Sequence, residues 1–207
     1  MATVLVLNSS VLGEASASKS LVGEALAHLR SEHTSLSIIE RDLGVSPVPH
    51  LTEDAAAAVR GGANANEAQR TALALADTLV AEVKAADILV IGAPMYNFGI
   101  PSTLKAWFDH VLRPGIAFRY TEAGPQGLMT GKRAIVTETR GGFYSEGPTM
   151  VMDSQEPHLR TMLGLMGITD VTFVRAEKLG YGPEAREAAI LGARAELARL
   201  AQTYRAA

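Results

Sequence analysis

Short, unbroken apolar runs alternate along this chain with longer stretches whose apolar residues recur every three or four positions. Val4 to Leu7 is such a run, as expected of a strand buried on both faces. A turn-rich segment leads to a helical pattern from about Lys19 to Arg30, with Leu21, Ala25, Leu26 and Leu29 on one face. Leu36 to Glu40 reads as a second strand, and Pro47 and Pro49 then interrupt the chain. Gly61-Gly62-Ala63-Asn64 reads as a loop before a long helix from about Glu67 to Ala85. Ile88 to Ile91 is the clearest buried strand, and Pro101 suits the start of a helix that ends before Pro114. Arg133 to Thr137 and Val171 to Val174 supply a fourth and a fifth strand, with a helix near His158 to Met166 between them. A last helix runs from about Pro183 to Tyr204. Strands alternating with helices predict a parallel sheet covered on both faces by right-handed crossovers. The 207 residues suit one such α/β domain, and no repeat or linker divides them.

Composition narrows the chemistry. There are no cysteines, so disulfides, thiol catalysis and thiolate metal sites are excluded, and the histidines show no metal-ligand spacing: no metal is expected. A formal net charge of -3 implies no basic face for nucleic acid and argues mildly against a small electron carrier, since those often dock through a strongly acidic surface. The first residues lack the basic region and apolar length of a signal peptide, and no stretch approaches a membrane span; a cytoplasmic protein is expected.

Open parallel sheets bind ligands beyond the carboxyl ends of their strands, near the point where strand order reverses. Three such ends are unusual here. After the first strand, the Asn8 to Ser18 segment brings several hydroxyls to a helix N-terminus, where free N–H groups and the helix dipole favour an anion. Ser16 or Ser18 would equally serve as a plain helix cap. Neither a Gly-x-Gly-x-x-Gly nor a P-loop lysine pattern is present. After the third strand, Ala93-Pro94-Met95-Tyr96-Asn97-Phe98-Gly99-Ile100-Pro101 combines two stiffening prolines with large polarisable side chains, which suits a flat heteroaromatic ring; the alternative is core contacts of Tyr96 and Phe98 below the loop. After the fourth, Glu138-Thr139-Arg140-Gly141-Gly142-Phe143-Tyr144 pairs glycines that allow close backbone approach, or simply a tight turn, with an arginine suited to an anion or a surface acid.

Together these segments, with Phe118-Arg119-Tyr120-Thr121 and Gly127-Leu128, resemble the FMN-dependent NADH:quinone oxidoreductases, or azoreductases, over nearly the whole chain. The resemblance implies a flavodoxin-like fold with sheet order 2-1-3-4-5. It also implies bound FMN, NADH or NADPH as electron donor, and a quinone or azo compound as acceptor. Ser10, Ser16, Ala17 and Ser18 would hold the phosphate. Pro94, Met95, Tyr96, Asn97 and Phe98 would pass along the isoalloxazine ring, and Thr139, Arg140, Gly141 and Gly142 would border its polar edge. Family members commonly carry Ser where this chain has Thr139. Phe98, Tyr120, Phe143 and Tyr144 would line the substrate pocket. No side chain is assigned a catalytic role, because flavin N5 carries the chemistry. Homodimers with active sites at the subunit interface are implied, as is a ping-pong scheme.

The Phe118 to Met129 segment is expected to form a hairpin or flap near the site. Trp107 is expected in packing rather than on the flavin, and Asp109 and His110 point in different directions from one helix. Arg60 and Arg140 are the cations considered for the extra phosphate of NADPH. Two other readings stand beside the enzyme: an FMN-holding electron carrier, and a flavin-free hydrolase or binding domain. The second is weakened by the lack of a Gly-x-Ser-x-Gly elbow.

Overall fold

The computed structural model describes residues 1–61 and 66–204. Among them the sheet is five-stranded and parallel throughout, in the order β2 (Leu36–Asp42), β1 (Ala2–Asn8), β3 (Ile88–Pro94), β6 (Arg133–Thr139), β7 (Asp170–Ala176). Counting only these strands, the order is the expected 2-1-3-4-5. A small antiparallel hairpin, β4 (Phe118–Thr121) with β5 (Gly124–Gly127), occupies the segment expected to be one.

Side chains alternate across each strand, so Val4 and Val6 enter one core layer while Leu5 and Leu7 enter the other. The first layer is closed by α1 (Ala17–Glu32) and α6 (Pro183–Tyr204) through Leu21, Ala25, Leu29, Ala193 and Leu197. The second is closed by α3 (Glu67–Ala85), α4 (Ser102–Val111) and α5 (Glu156–Met166), with Leu79, Val83, Trp107, Phe108, Leu159 and Leu163 packed beneath them. Burial on both faces is why the central strands read as unbroken apolar runs. Trp107 is fully buried and meets Phe108 edge-on at 5.0 Å, so it is a core residue as expected.

The Ala-rich stretch after Pro49 is a short helix, α2 (Glu53–Val59), capped by the Thr52 hydroxyl on Ala55 N–H. Gly61 lies in a turn, and the rest of the Gly61–Asn64 loop falls outside the described residues. Strand β6 runs beyond its expected end at Thr137, because Glu138 and Thr139 continue the ladder as buried polar residues, and β7 extends past Val171 and Val174 to Asp170–Ala176 by pairing with β6. The hairpin docks on the end of α5, where Gly127 and Gly167 meet so closely that a Cβ on Gly127 would lie 2.1 Å from the Gly167 nitrogen. Met129 N–H donates to Met166 O at 2.8 Å, and Gly167, at φ 92°, ends α5 in the left-handed conformation glycine tolerates.

Candidate functional site

Strand β1 is followed in sequence by its neighbour on one side, β2, and then by its neighbour on the other, β3. The crevice between the ends of β1 and β3 is therefore the switch point where such sheets hold ligands. Residues from both loops close on each other there. Ser9 Oγ donates to Gly92 O at 2.6 Å, and the Tyr96 hydroxyl accepts from Val11 N–H at 3.1 Å while sharing a hydrogen bond with Ser10 Oγ at 3.3 Å.

The start of α1 carries the expected hydroxyls. Ser16 is the N-cap, its Oγ accepting from Lys19 N–H at 3.1 Å and lying 3.1 Å from Ser18 Oγ. Both serines are buried and Ala17 is half-buried. Capping and anion binding are thus compatible: the Ser16 oxygen satisfies Lys19, while the N–H groups of Ala17 and Ser18 have no carbonyl to reach within the helix. Lys19, on the same turn, is held by Glu14 at 2.8 Å and Asp42 at 3.3 Å, contacts that raise its pKa, Glu14 foremost. An anion here would meet hydroxyls, N–H groups and the helix dipole rather than a free lysine.

The loop after β3 is a tight two-residue reversal. Tyr96 and Gly99 exchange backbone hydrogen bonds of 3.0 and 3.1 Å, and the residues between them, Asn97 and Phe98, have φ of 48° and 71°. Positive φ at both central positions is the signature of a type I′ turn. Asn accepts this readily, but an aromatic residue there is strained by about 1–3 kcal/mol. The strain holds Phe98 40 % exposed, with its ring edge-on to Tyr144 at 5.8 Å. Pro94 is buried, Met95 and Tyr96 are half-buried, and Asn97 is exposed.

Across the crevice, Thr139 O accepts from Met95 N–H at 2.8 Å, which ties the loop after β6 to the loop after β3. Gly142 lies under the Tyr144 ring. Gly141 is different: its φ is not positive and nothing stands within 4 Å of where a Cβ would be, so the protein alone gives no reason for glycine there. A planar group lying on this backbone would supply one. With an anion site at α1 and a partly aromatic turn between them, the residues present fit a phosphate-tailed heteroaromatic cofactor such as FMN.

Arg140 differs from expectation. Instead of reaching an anion or a surface acid, its guanidinium is fully buried. It lies 2.7 Å from Glu138, 3.0 Å from Asp153 and 3.2 Å from Glu177, and its Nε donates to Gln155 Oε1 at 3.0 Å. Its main chain is tied to β7 and the segment after it, Arg140 N–H donating to Ala176 O at 2.9 Å and Leu179 N–H donating to Arg140 O at 3.1 Å, and the buried guanidinium is not placed to meet the extra phosphate of NADPH. Sequence reasoning missed this cluster; the one signal for it was Glu138 and Arg140 two residues apart, hence on one face of a buried strand.

The aromatic residues expected to share a pocket fall into two groups. Phe98 and Tyr144 touch, and Phe143 lies beside them in sequence under the Lys178 ammonium, 4.2 Å from its ring. Tyr120 stands on the hairpin, 75 % exposed, at the mouth of a separate cavity of about 440 Å³ that Leu51, Val59, Arg60, Leu112 and Phe118 also line. Asp109 and His110 diverge as expected, Asp109 to Lys105 and His110 Nε2 to Pro49 O. His110 is buried. No cluster of metal-ligating side chains occurs among the described residues.

Comparison with known proteins agrees with this arrangement. A family model described as flavodoxin-like fold matches residues 2–201. The chain is 52 % identical over 204 residues to an FMN-dependent NADH:quinone oxidoreductase of Hyphomonas neptunium, covering 99 % of this chain and 98 % of that one. Among solved structures, an azoreductase from Bacillus anthracis superposes with a TM-score of 0.89 at 29 % identity, over 98 % of this chain and 100 % of the other. An FMN-dependent NADH-azoreductase from the same species, in complex with FMN, gives 0.84 at 25 % identity over 97 % and 100 %. The chain belongs to the flavodoxin-like family of FMN-dependent NADH:quinone oxidoreductases and azoreductases.

Proposed function

We propose that this protein binds FMN in the crevice between β1 and β3 and moves electrons from NADH to quinones and azo compounds. The observation that carries the reading is the convergence at one strand-end crevice of a hydroxyl-rich helix start, a strained aromatic turn and an unoccupied backbone face at Gly141. When bound, FMN supplies the redox chemistry, accepting a hydride equivalent from the nicotinamide and passing two electrons to the acceptor. The chain supplies the rest. Ser10, Ser16, Ala17 and Ser18 anchor the phosphate, Pro94 to Phe98 bear on the ring, and the Thr139 to Gly142 backbone borders its polar edge. Arg140 contributes there through its main chain.

Donor and acceptor take the same place in turn over the exposed ring, so oxidised nicotinamide leaves before the quinone enters. Quinone, NADH and one proton then yield hydroquinone and NAD⁺. Phe98, Phe143 and Tyr144 form the rim of that place. Tyr120 reaches a site through a homodimer, in which the hairpin of one protomer stands beside the crevice of its partner. The exposed apolar side chains of Val11, Leu12, Met150, Val151 and Met152 support an apposed second copy. A cytoplasmic location suits a protein fed by NADH, and no helix among the described residues is long and apolar enough to cross a membrane. A net charge of only -3 gives the electron-carrier alternative little support, because such carriers often dock through a strongly acidic surface.

Initial rates with varied NADH at several fixed benzoquinone concentrations test the shared place. Parallel double-reciprocal lines, with quinone inhibiting competitively against NADH, are expected. Converging lines would mean that donor and acceptor are held together and would reject the alternating scheme.

A further inference from the structure

Two loops of the FMN crevice hang from different parts of the fold, and one buried side chain joins their supports. On one side, the segment leading into α5 holds the loop after β3: Gln155 Nε2 donates to Ala93 O at 2.8 Å and Ser154 N–H donates to Phe98 O at 3.0 Å. On the other, the segment after β7 holds the loop after β6. Glu177 accepts from Tyr144 N–H at 2.8 Å, from Ser145 N–H at 3.1 Å and from the Ser145 hydroxyl. Lys178, Leu179 and Gly180 donate their N–H groups to Gly142, Arg140 and Gly141 carbonyls at 2.7 to 3.1 Å. Lys178 takes a φ of 62° to do so.

The Arg140 guanidinium lies between these two assemblies. Its Nε reaches Gln155 on the first side and its Nη1 reaches Glu177 on the second, while Nη2 is held by Glu138 and Asp153. Asp153 in turn accepts from Gln155 N–H at 2.8 Å and Glu156 N–H at 3.2 Å, which fixes the start of α5. Only a planar fork with several N–H donors can serve these acceptors at once; an ammonium group cannot. A buried ionic cluster is weak evidence for stability, since well-packed apolar residues would do as well. What it supplies better is register between the parts it joins, and here those parts are two loops whose rims meet at Phe98 and Tyr144.

We infer that Arg140, with Gln155 and Glu177, is a positioning device that locks the loop after β6 against the loop after β3 and thereby sets the width and order of the FMN crevice. This rests on the FMN reading above, because the loops matter only if the cofactor lies between them. The device acts through backbone placement: the side chains of Arg140, Gln155 and Glu177 touch neither cofactor nor substrate.

Ser145→Ala tests it without disturbing the buried charges, and Glu177→Gln tests it more severely. The readouts are amide hydrogen exchange at Tyr144 and Ser145 in the FMN-free protein, FMN affinity by fluorescence titration, and the visible circular dichroism of bound flavin. For Ser145→Ala, loss of a hydrogen bond to a carboxylate should speed exchange at both amides by about tenfold and weaken FMN by a similar factor, with the flavin dichroism reduced. Glu177→Gln should exceed both effects, and Ser145→Thr, which keeps the hydroxyl, should restore them. Faster exchange with unchanged FMN affinity and dichroism would overturn the inference, leaving the cluster a local support only. Exchange unchanged in both variants would overturn it too. Wild-type protein that binds no FMN would instead overturn the reading on which the inference rests.

Discussion

Gly141 carries the sharpest residue-scale consequence of an FMN site. Its backbone does not need glycine and its side-chain position is open, so Gly141→Ala should leave the FMN-free protein as stable as before, or slightly more so through the unfolded state. FMN affinity should fall by about tenfold or more, roughly 1.4 kcal/mol, as the methyl group enters the space a ring would occupy. Thermal melts of the apoprotein and a flavin fluorescence titration decide the matter; undiminished affinity would remove the ring from this glycine. At this scale, residue types were legible in the sequence but their depth was not. The serines, the Pro94 to Phe98 turn and the paired glycines were picked out because their composition is unusual for strand ends. Arg140 reads as solvent-facing because it is a charged residue beside two glycines, and only long-range partners at Asp153 and Glu177 bring it inside.

Elements were legible where they are buried on both faces. The cores of β1, β3, β6 and β7 announce themselves as apolar runs, whereas the polar ends of β6 and β7 do not. The start of α5 depends on Asp153 accepting from two N–H groups, a contact that apolar periodicity cannot show. Where β6, α5 and β7 meet, Glu138 is surrounded by Arg140, Asp153, Glu156 and Arg175. Burial pushes its carboxyl up to about 8 with help from Glu156 and Asp153, against the pull of Arg140 and Arg175. Its Oε1 has no partner, a smaller cost for a neutral carboxyl than for a carboxylate. The folded protein therefore keeps a proton that the unfolded chain releases near 4.5. Stability from this group is complete below that pH and is lost as the pH rises to about 8. Glu156 acts in a different window. Burial would raise its pKa, but hydrogen bonds from Arg175 and Arg160 lower it, so its contribution is lost only as the solution becomes more acid than about 4.5. Urea unfolding at intervals between these limits should show wild-type stability falling relative to Glu138→Gln, which mimics the neutral carboxyl. Parallel profiles for the two proteins would contradict a protonated Glu138.

The molecule as a whole presents one sheet-end crevice fringed by exposed apolar side chains, and a hairpin aromatic that stands apart from it within a single chain. Both features make sense in the proposed dimer, where the partner's hairpin completes the rim. Topology was legible because alternation of strands and helices admits few arrangements, while the division of the aromatics into two groups depends on where the hairpin docks against Gly167. On the proposed reading, the crevice turns bound FMN into a two-step reductase. Stopped-flow absorbance of the FMN-loaded protein, mixed anaerobically with NADH and then with a benzoquinone, tests it most directly. Rapid bleaching of the oxidised-flavin band followed by its full return on adding quinone is the predicted result. A flavin that binds but stays oxidised with NADH would contradict the reductase and favour an electron carrier that docks to other redox proteins.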